Sequence, residues 1–150
     1  MSQDGHGVDL DTSLGYLLKE AASALRSAME AALRPLGMTI THYACLELLA
    51  QRPGLSNSEL ARGAFVTRQS MNVVLQSLER DGLVSRPEQA PVGRALPTAL
   101  TPLGRQHLEG ASVAVKAIED AMRSDLSAAE ERELRRLLKS CVSSLASPMV

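Results

Sequence analysis

Apolar residues recur along much of the chain at spacings of three and four, the pattern of amphipathic helices that bury one face. Such stripes predict helices over residues 10–34, 102–125 and 127–146. Thr101 and Pro102 would begin the second of these as hydroxyl cap and first helical residue. In the last helix, four residues at helical spacing are expected to face inward: Leu134, Leu138, Cys141 and Leu145.

Start signals predict two shorter helices between the long ones. Thr41 is the expected N-cap of the first, which extends to about Ala50. Ser56 and Glu59 have the spacing of a capping box, in which each side chain bonds the backbone N–H of the other residue. They predict a second short helix over residues 57–64.

A third helix of this central region follows a tight break. Thr67 is its predicted N-cap, and Gly82 suits the left-handed position just past its end. Residues 83–86 predict a short strand, and residues 96–101 predict a returning strand that Pro97 prevents from pairing fully. Two short helices, a tight break and a hairpin are the outline of a winged helix-turn-helix.

Composition and charge agree with this outline. Aromatic residues make up only 2% of the chain, so the core must be aliphatic, which suits a mainly α fold with a small β wing. The net charge is only -1, but residues 52–105 hold seven Arg and four acids, whereas residues 1–51 hold three basic and six acidic residues. A positive middle suits a module that contacts nucleic acid.

The helix after Thr67 has a predicted buried stripe of Met71, Val74, Leu75 and Leu78. Its opposite face carries Arg68, Gln69, Asn72 and Gln76, with Val73 beside them. In a major groove, Asn and Gln can pair with adenine, Arg can pair with guanine, and Val can meet a thymine methyl. A solvated face is the alternative interpretation, but residues 67–78 contain neither an acid nor Lys, which favours groove contact.

Phosphate contacts are expected on either side of this face. Hydroxyls and N–H groups at the start of the 57–64 helix could hold a phosphate. Arg94, in the loop between the strands, would reach into the adjacent minor groove. The complete predicted DNA-binding set is Ser56, Asn57, Ser58, Arg62, Thr67, Arg68, Gln69, Ser70, Asn72, Val73, Gln76, Arg86 and Arg94.

Five segments occur in a specific order: LSNSELA at 55–61, VTRQS at 66–70, LERDGLV at 78–84, GR at 93–94 and LTPLG at 100–104. In this order and spacing the sequence resembles the MarR family of bacterial transcription regulators, over nearly the whole chain. Two positions depart from the family pattern. Val92 stands where an Asp usually braces the wing Arg, and Val73 stands where an Arg is common.

The resemblance implies a ligand-responsive repressor that binds a pseudo-palindromic operator in double-stranded DNA as a homodimer. Residues 1–9 are expected to be a disordered tail, and residues 10–150 a single MarR-like domain. Within that domain the winged helix-turn-helix covers about residues 40–101. The helices over residues 10–34, 102–125 and 127–146 would then form the dimer interface.

The resemblance also implies a pocket for a small effector, for which an aromatic or anionic compound is the candidate. The candidate ligand-binding residues are Tyr16, Arg26, His42, Tyr43 and Leu46. The alternative for each is a packed core or junction residue. Cys45 opens a further alternative, a redox-sensing regulator, although an inert core cysteine is favoured because a reactive thiol needs an accessible, electropositive setting.

Other classes have less support. A helical sensor or interaction protein that keeps the fold without binding DNA is the second hypothesis. An enzyme is not predicted, because His6, His42 and His107 stand apart from any nucleophile motif, and no phosphate loop is present. No cofactor and no metal site are expected. The chain has neither a long apolar run nor an export leader, so a cytoplasmic protein with no membrane contact is expected.

Overall fold

The structure, a computed structural model, describes residues 7–86 and 98–146. Most of the predicted tail lies outside the described residues, as do the loop of the predicted wing and its residues Val92, Arg94 and Pro97. The chain divides into two compact units, one ending at Val115 and the other beginning at Lys116. The elements follow the order α1 (Leu14–Leu33), a 3-10 turn (Arg34–Leu36), α2 (Ile40–Gln51), α3 (Asn57–Gly63), α4 (Arg68–Arg80), β1 (Val84–Ser85), β2 (Ala99–Leu100), α5 (Pro102–Met122) and α6 (Ala128–Ala146).

The starts of α1 and α2 differ from the prediction. Helix α1 begins four residues later than expected, because the hydroxyl of Ser13 accepts the N–H of Tyr16 at 3.1 Å and acts as N-cap. The predicted N-cap Thr41 is wrong. Thr39 caps α2 instead, since its hydroxyl accepts the N–H of His42 while Nδ1 of His42 accepts the N–H of Thr39. The capping box of Thr39 and His42 was not predicted, because Glu or Gln, and not His, is the usual residue at the third helical position.

Helices α3 and α4 form the predicted helix-turn-helix. Thr67 caps α4, as predicted, by accepting the N–H of Ser70 at 3.0 Å. Both helices end in a Schellman motif, in which the residue after the cap is left-handed and two N–H groups return to the last turn. Gly82 occupies that position after α4 with φ 75°, as predicted, but Phe65 occupies it after α3 with φ 59°.

Strands β1 and β2 pair antiparallel, Val84 with Leu100 and Ser85 with Ala99, so the described ladder is shorter than the predicted strands. The start of α5 is as predicted. The hydroxyl of Thr101 accepts the N–H of Gly104 at 3.0 Å and donates to the carbonyl of Gly82 at 2.6 Å. This single side chain therefore ties the end of α4 to the first turn of α5.

A buried aliphatic core holds the first unit together. The three central helices pack on one another, and α4 also packs on β1. The buried apolar residues are Leu33, Met38, Cys45, Leu46, Leu49, Leu60, Ala61, Met71, Leu75, Leu78, Leu83, Val84, Leu108 and Ala111. Because this core comes mainly from α2 to β1, the helix-turn-helix is the best-buried part of the described chain.

In the second unit, α6 follows the end of α5 across a short turn. Ser127 and Glu130 form the predicted capping box, with bonds of 2.9 and 3.1 Å. Arg123 on the turn pairs with Glu131 on α6 at 3.0 Å. No residue of α6 is buried, so the expected inward stripe is wrong for a single chain: Leu134 is 45%, Leu138 39% and Leu145 80% exposed, and Cys141 is half-buried.

Candidate nucleic-acid interface

Three residues that are predicted to contact phosphate lie at the start of α3, namely Ser56, Asn57 and Ser58. The hydroxyl of Ser56 accepts the N–H of Glu59 at 3.1 Å, and the N–H of Ser56 donates to Oε1 of Glu59 at 3.1 Å. The backbone N–H of Ser56 lowers the pKa of Glu59, and the Ser56 side chain and Arg62 lower it further. The ionised carboxylate of Glu59 thus lies at the N-terminus of α3, where it repels a phosphate. The sequence-based prediction of phosphate contacts did not include this repulsion.

The N-terminus of α4 is built in a related way. The hydroxyl of Thr67 accepts the N–H of Ser70 and donates to the Ser70 hydroxyl at 2.9 Å. Both predicted contact residues are exposed. Because no acid lies in the first turn of α4, its N–H groups are more suitable for an anion than those of α3.

The two faces of α4 separate as predicted. Met71, Leu75 and Leu78 are buried and Val74 is half-buried, so this face anchors the helix. On the opposite side Arg68, Gln69 and Gln76 are exposed, and Val73 is 62% exposed. The helix therefore presents guanidinium, amide and methyl groups to solvent, the groups that recognise base edges in a major groove.

Asn72 differs from its neighbours on this face because it is half-buried and already bonded. Nδ2 of Asn57, the first residue of α3, donates to Oδ1 of Asn72 at 3.1 Å. Both residues belong to the predicted DNA-binding set, but the contact between them was not predicted. No local pattern predicts a bond between two side chains 15 residues apart, since it depends on the angle between the helices.

The remaining basic candidates are not equivalent. Arg62 is exposed near the end of α3. Arg86 is half-buried, and its Nε donates to Oε2 of Glu79 at 2.8 Å. The Glu79 carboxylate offsets the charge of Arg86, so Arg86 is the weaker phosphate candidate of the two. Arg94 lies outside the described residues.

The five predicted ligand-binding residues lie on two helices and in different environments. On α1, Tyr16 is 48% exposed and Arg26 is paired with Glu30 at 3.3 Å. On α2, His42 and Tyr43 are half-buried, whereas Leu46 is fully buried in the core. Leu46 could contact a ligand only if the core repacked, so the alternative of a core residue is the better description of it.

Two titratable groups of α2 have pKa values shifted by burial. Burial raises the pKa of the Cys45 thiol to about 12. The reactive thiolate is therefore scarce at neutral pH, which disfavours the redox-sensing alternative. Burial lowers the pKa of His42, although Asp81 opposes the shift. A neutral His42 suits its cap, because Nδ1 must accept the N–H of Thr39.

Among residues 7–86 and 98–146, no group of three or more His, Cys, Asp or Glu side chains is arranged to hold a metal ion. No helix in these ranges has the length and apolar character needed to cross a membrane.

Comparison with known proteins identifies the class. A sequence profile of the MarR family matches residues 36–95. The HTH-type transcriptional repressor Rv2887 of Mycobacterium tuberculosis is 44% identical over 133 residues, which cover 89% of this chain and 96% of that protein. The chain therefore belongs to the MarR family of transcriptional regulators, and its fold is the family's winged helix-turn-helix.

Solved structures of the same relative match this fold. Rv2887 in complex with salicylic acid superposes with a TM-score of 0.72 at 44% identity, covering 87% of this chain and 97% of that one. Rv2887 in complex with DNA superposes with a TM-score of 0.72 at 42% identity, covering 91% of this chain and all of that one. These matches confirm the predicted family and fold class.

Proposed function

We propose that this protein is a transcriptional repressor that binds operator DNA as a homodimer and responds to a small aromatic acid. Residues 10–150 act as one functional domain, with the winged helix-turn-helix over about residues 40–101. The observation that carries the proposal is the outer face of α4, where Arg68, Gln69 and Gln76 are exposed on a helix whose other face is buried in the core.

The DNA-binding role has support from two directions. Helix α4 is anchored by three buried residues, so its outer face can enter a groove without unfolding. The relative Rv2887 has been solved in complex with DNA. Within the predicted set, Arg68, Gln69, Val73 and Gln76 would read bases. Thr67, Ser70, Arg62 and the start of α3 would hold the backbone, with Arg94 reaching the minor groove.

Salt-dependent binding tests this role. The protein is titrated with duplex fragments from its own upstream region at several salt concentrations. Affinity should fall steeply with salt, because phosphate contacts release counterions. Arg68→Ala should weaken binding about tenfold or more and relax base preference, whereas Arg132→Ala, which removes an exposed Arg on α6, should have little effect. Absence of salt-dependent binding to these duplexes would favour a sensor that does not bind DNA. Equal effects of the two variants would remove Arg68 from the interface.

The homodimer is supported by apolar surface that the chain leaves exposed. Leu14, Leu17 and Leu18 on α1 are exposed, as are Leu134, Leu137 and Leu138 on α6. Apolar surface that forms a contiguous patch and is left exposed by a single chain often marks an interface. Sedimentation should therefore show a dimer at micromolar concentration. A monomer at that concentration would contradict the proposal.

The effector proposal rests on the relative Rv2887, which has been solved with salicylic acid and with p-aminosalicylic acid. Both are aromatic carboxylates, so a small aromatic acid is the proposed class. In this chain Tyr16 and Arg26 offer an aromatic ring and a cation on exposed parts of α1, and His42 and Tyr43 offer polar groups on α2.

Thermal shift with salicylate tests the effector class and one candidate residue. Salicylate should raise the melting temperature of the wild type and lower its DNA affinity, since a ligand shifts the population toward the state it prefers. His42→Gln removes the imidazole but keeps an oxygen that can accept the N–H of Thr39. A ligand-induced shift that is unchanged in His42→Gln would remove His42 from the site.

A further inference from the structure

The side-chain bond between α3 and α4 bears on how this protein selects its DNA. Nδ2 of Asn57 donates to Oδ1 of Asn72 at 3.1 Å, and this bond is partly buried. Asn72 lies on α4 between Arg68 and Gln76, one helical turn from each, on the side that carries the exposed polar residues. The bond therefore joins a residue of the first helix to a residue of the recognition face.

The direction of this bond determines what Asn72 presents to its surroundings. An Asn amide has one oxygen that accepts and one NH2 group that donates. Because Oδ1 of Asn72 faces Asn57, the amide plane is held and Nδ2 occupies the other side. Within residues 7–86 and 98–146, Nδ2 of Asn72 has no hydrogen-bond partner. It is a donor that remains available.

We propose that Asn57 is a positioning residue that holds Asn72 with its NH2 group toward the DNA, so that Asn72 selects a base with a hydrogen-bond acceptor. This inference rests on the proposed function, in which α4 enters the major groove. There the acceptors are N7 and O6 of guanine, N7 of adenine and O4 of thymine, while cytosine offers only the N4 donor.

The inferred orientation of Asn72 changes the base preference that was predicted for it from the sequence. A bidentate Asn–adenine pair requires both amide atoms, with Oδ1 accepting from N6 and Nδ2 donating to N7. In this protein Oδ1 of Asn72 points toward Asn57. Its second lone pair is free, but the inferred orientation turns it away from the base, so Asn72 contributes one donor to the contact. At the base that Asn72 contacts, cytosine should be disfavoured, and adenine should have no advantage over guanine.

Selection of bound duplexes from a randomised library tests the proposal. Asn57→Asp is the key variant, because a carboxylate can only accept. Nδ2 of Asn72 should then turn toward Asp at position 57, and Oδ1 should face the groove. The preferred base should change from one that offers an acceptor to cytosine or adenine, which offer N4 or N6 as donors. A change of about fivefold in relative affinity is expected for a single hydrogen bond.

The added negative charge of Asn57→Asp is controlled within the same experiment. Repulsion from phosphate lowers affinity for all sequences about equally, so it alters total binding but not base preference. The pair Asn72→Ala and Asn57→Asp/Asn72→Ala supplies the matched comparison. In the Asn72→Ala background, Asn57→Asp should leave the base preference unchanged, because the two residues act through one another.

Two further variants keep the test decisive if Asn57→Asp binds too weakly to be selected. Asn57→Leu removes the bond without adding charge, and discrimination at the contacted base should fall to less than about twofold as Asn72 rotates. Asn72→Asp still accepts from Asn57 but presents an oxygen, so it should prefer cytosine or adenine.

The results distinguish the positioning role of Asn57 from the proposed DNA-binding function. If the wild type selects a sequence but neither Asn57→Asp nor Asn57→Leu alters preference at any base, the positioning role is wrong, although the proposed function stands. If the wild type selects no sequence and shows no salt-dependent binding to duplex DNA, the positioning role of Asn57 and the proposed function are both wrong. A change of preference that persists in the Asn72→Ala background would also overturn the inference.

Discussion

Helices α4 and α6 carry similar apolar stripes, yet only the stripe of α4 is buried in the folded chain. Three residues of α4 are buried, namely Met71, Leu75 and Leu78, whereas α6 has no buried residue. Each stripe indicates that one face of a helix must be covered, because a lone helix of this length is marginal in water. Periodicity does not indicate whether the same chain or a second copy provides the cover.

The difference follows from what surrounds each helix along the chain. Helix α4 is flanked by α3 and β1, which pack against it, and α2 also contributes. These elements are joined by short turns with well-defined caps, so their contacts close small loops at little entropic cost. Cover for α6 is proposed to come from another protomer, and its stability would then depend on concentration.

Gly104→Ala should have the largest effect on stability, because it tests the close packing of α5 in the first unit. A Cβ at Gly104 would lie 1.9 Å from the backbone carbonyl oxygen of Leu83, so the start of α5 would have to move away from Leu83. We expect a loss of about 4 kcal/mol in the free energy of unfolding, at the upper end of overpacking effects. Urea denaturation measures it.

Gly110 provides the matched control on the same helix. No described atom outside the immediate backbone lies within 4 Å of a Cβ placed there. Gly110→Ala should therefore raise the free energy of unfolding by up to about 1 kcal/mol, because Ala is the better helix former. Equal losses in the two variants would show that the contact with Leu83 is not the cause.

Leu75→Ala and Leu134→Ala test the comparison of α4 with α6 directly. Leu75 is fully buried, so its truncation should cost about 3 kcal/mol at any protein concentration. Leu134 is 45% exposed in the single chain, so Leu134→Ala should weaken the dimer and lower stability mainly in dilute samples. If Leu134→Ala leaves the dissociation constant of the dimer, measured by sedimentation, unchanged, the proposed role of α6 is wrong.

Phe65→Gly should produce a smaller effect in the opposite direction. Phe65 has φ 59° and its side chain is 94% exposed, so the left-handed conformation carries a cost that no buried surface offsets. Gly is the preferred residue at this position of a Schellman motif, as Gly82 illustrates after α4. The free energy of unfolding should rise by about 1 kcal/mol or less, measured by urea denaturation. A loss of stability would indicate a contact of the Phe65 ring in the assembled protein.

The smallest expected effect is a pH dependence that arises from His42. Its pKa is lowered by burial, so the unfolded chain takes up the proton first as pH falls. The stabilising contribution of neutral His42 is complete above its ordinary pKa of about 6.5 and is lost as pH falls from there to the folded pKa. His42→Gln should lose less stability over this interval, as measured by urea denaturation at several pH values. Parallel profiles would contradict the assignment.

Much of the local structure could be predicted because its signals lie within a few residues of one another. The capping boxes at Ser56 and Ser127 and the caps at Thr67 and Thr101 all occur where expected. The wrong prediction of Thr41 as N-cap also arose from reading local signals. Thr39 and Thr41 are both suitable caps, and only the folded helix start brings His42 within bonding distance of Thr39.

Part of the candidate interface could also be predicted. The polar face of α4 follows from helical spacing, and its exposure agrees with the prediction for Arg68, Gln69 and Gln76. The bond between Asn57 and Asn72 and the pairing of Arg86 with Glu79 could not be predicted. Both depend on how neighbouring elements are oriented, and many orientations are compatible with the same apolar pattern.

The sequence by itself therefore determined the family, the helices, the caps at Ser56, Thr67, Thr101 and Ser127, and the amphipathic character of α4. These features depend on backbone hydrogen bonding and on the periodicity of side chains, which act over one or two turns. Only the tertiary structure decided that Phe65 takes the left-handed position and that Gly104 must admit the Leu83 carbonyl. It also decided that Asn72 has its oxygen engaged by Asn57. These contacts arise when elements distant in sequence pack at one particular angle, and no local pattern contains that angle.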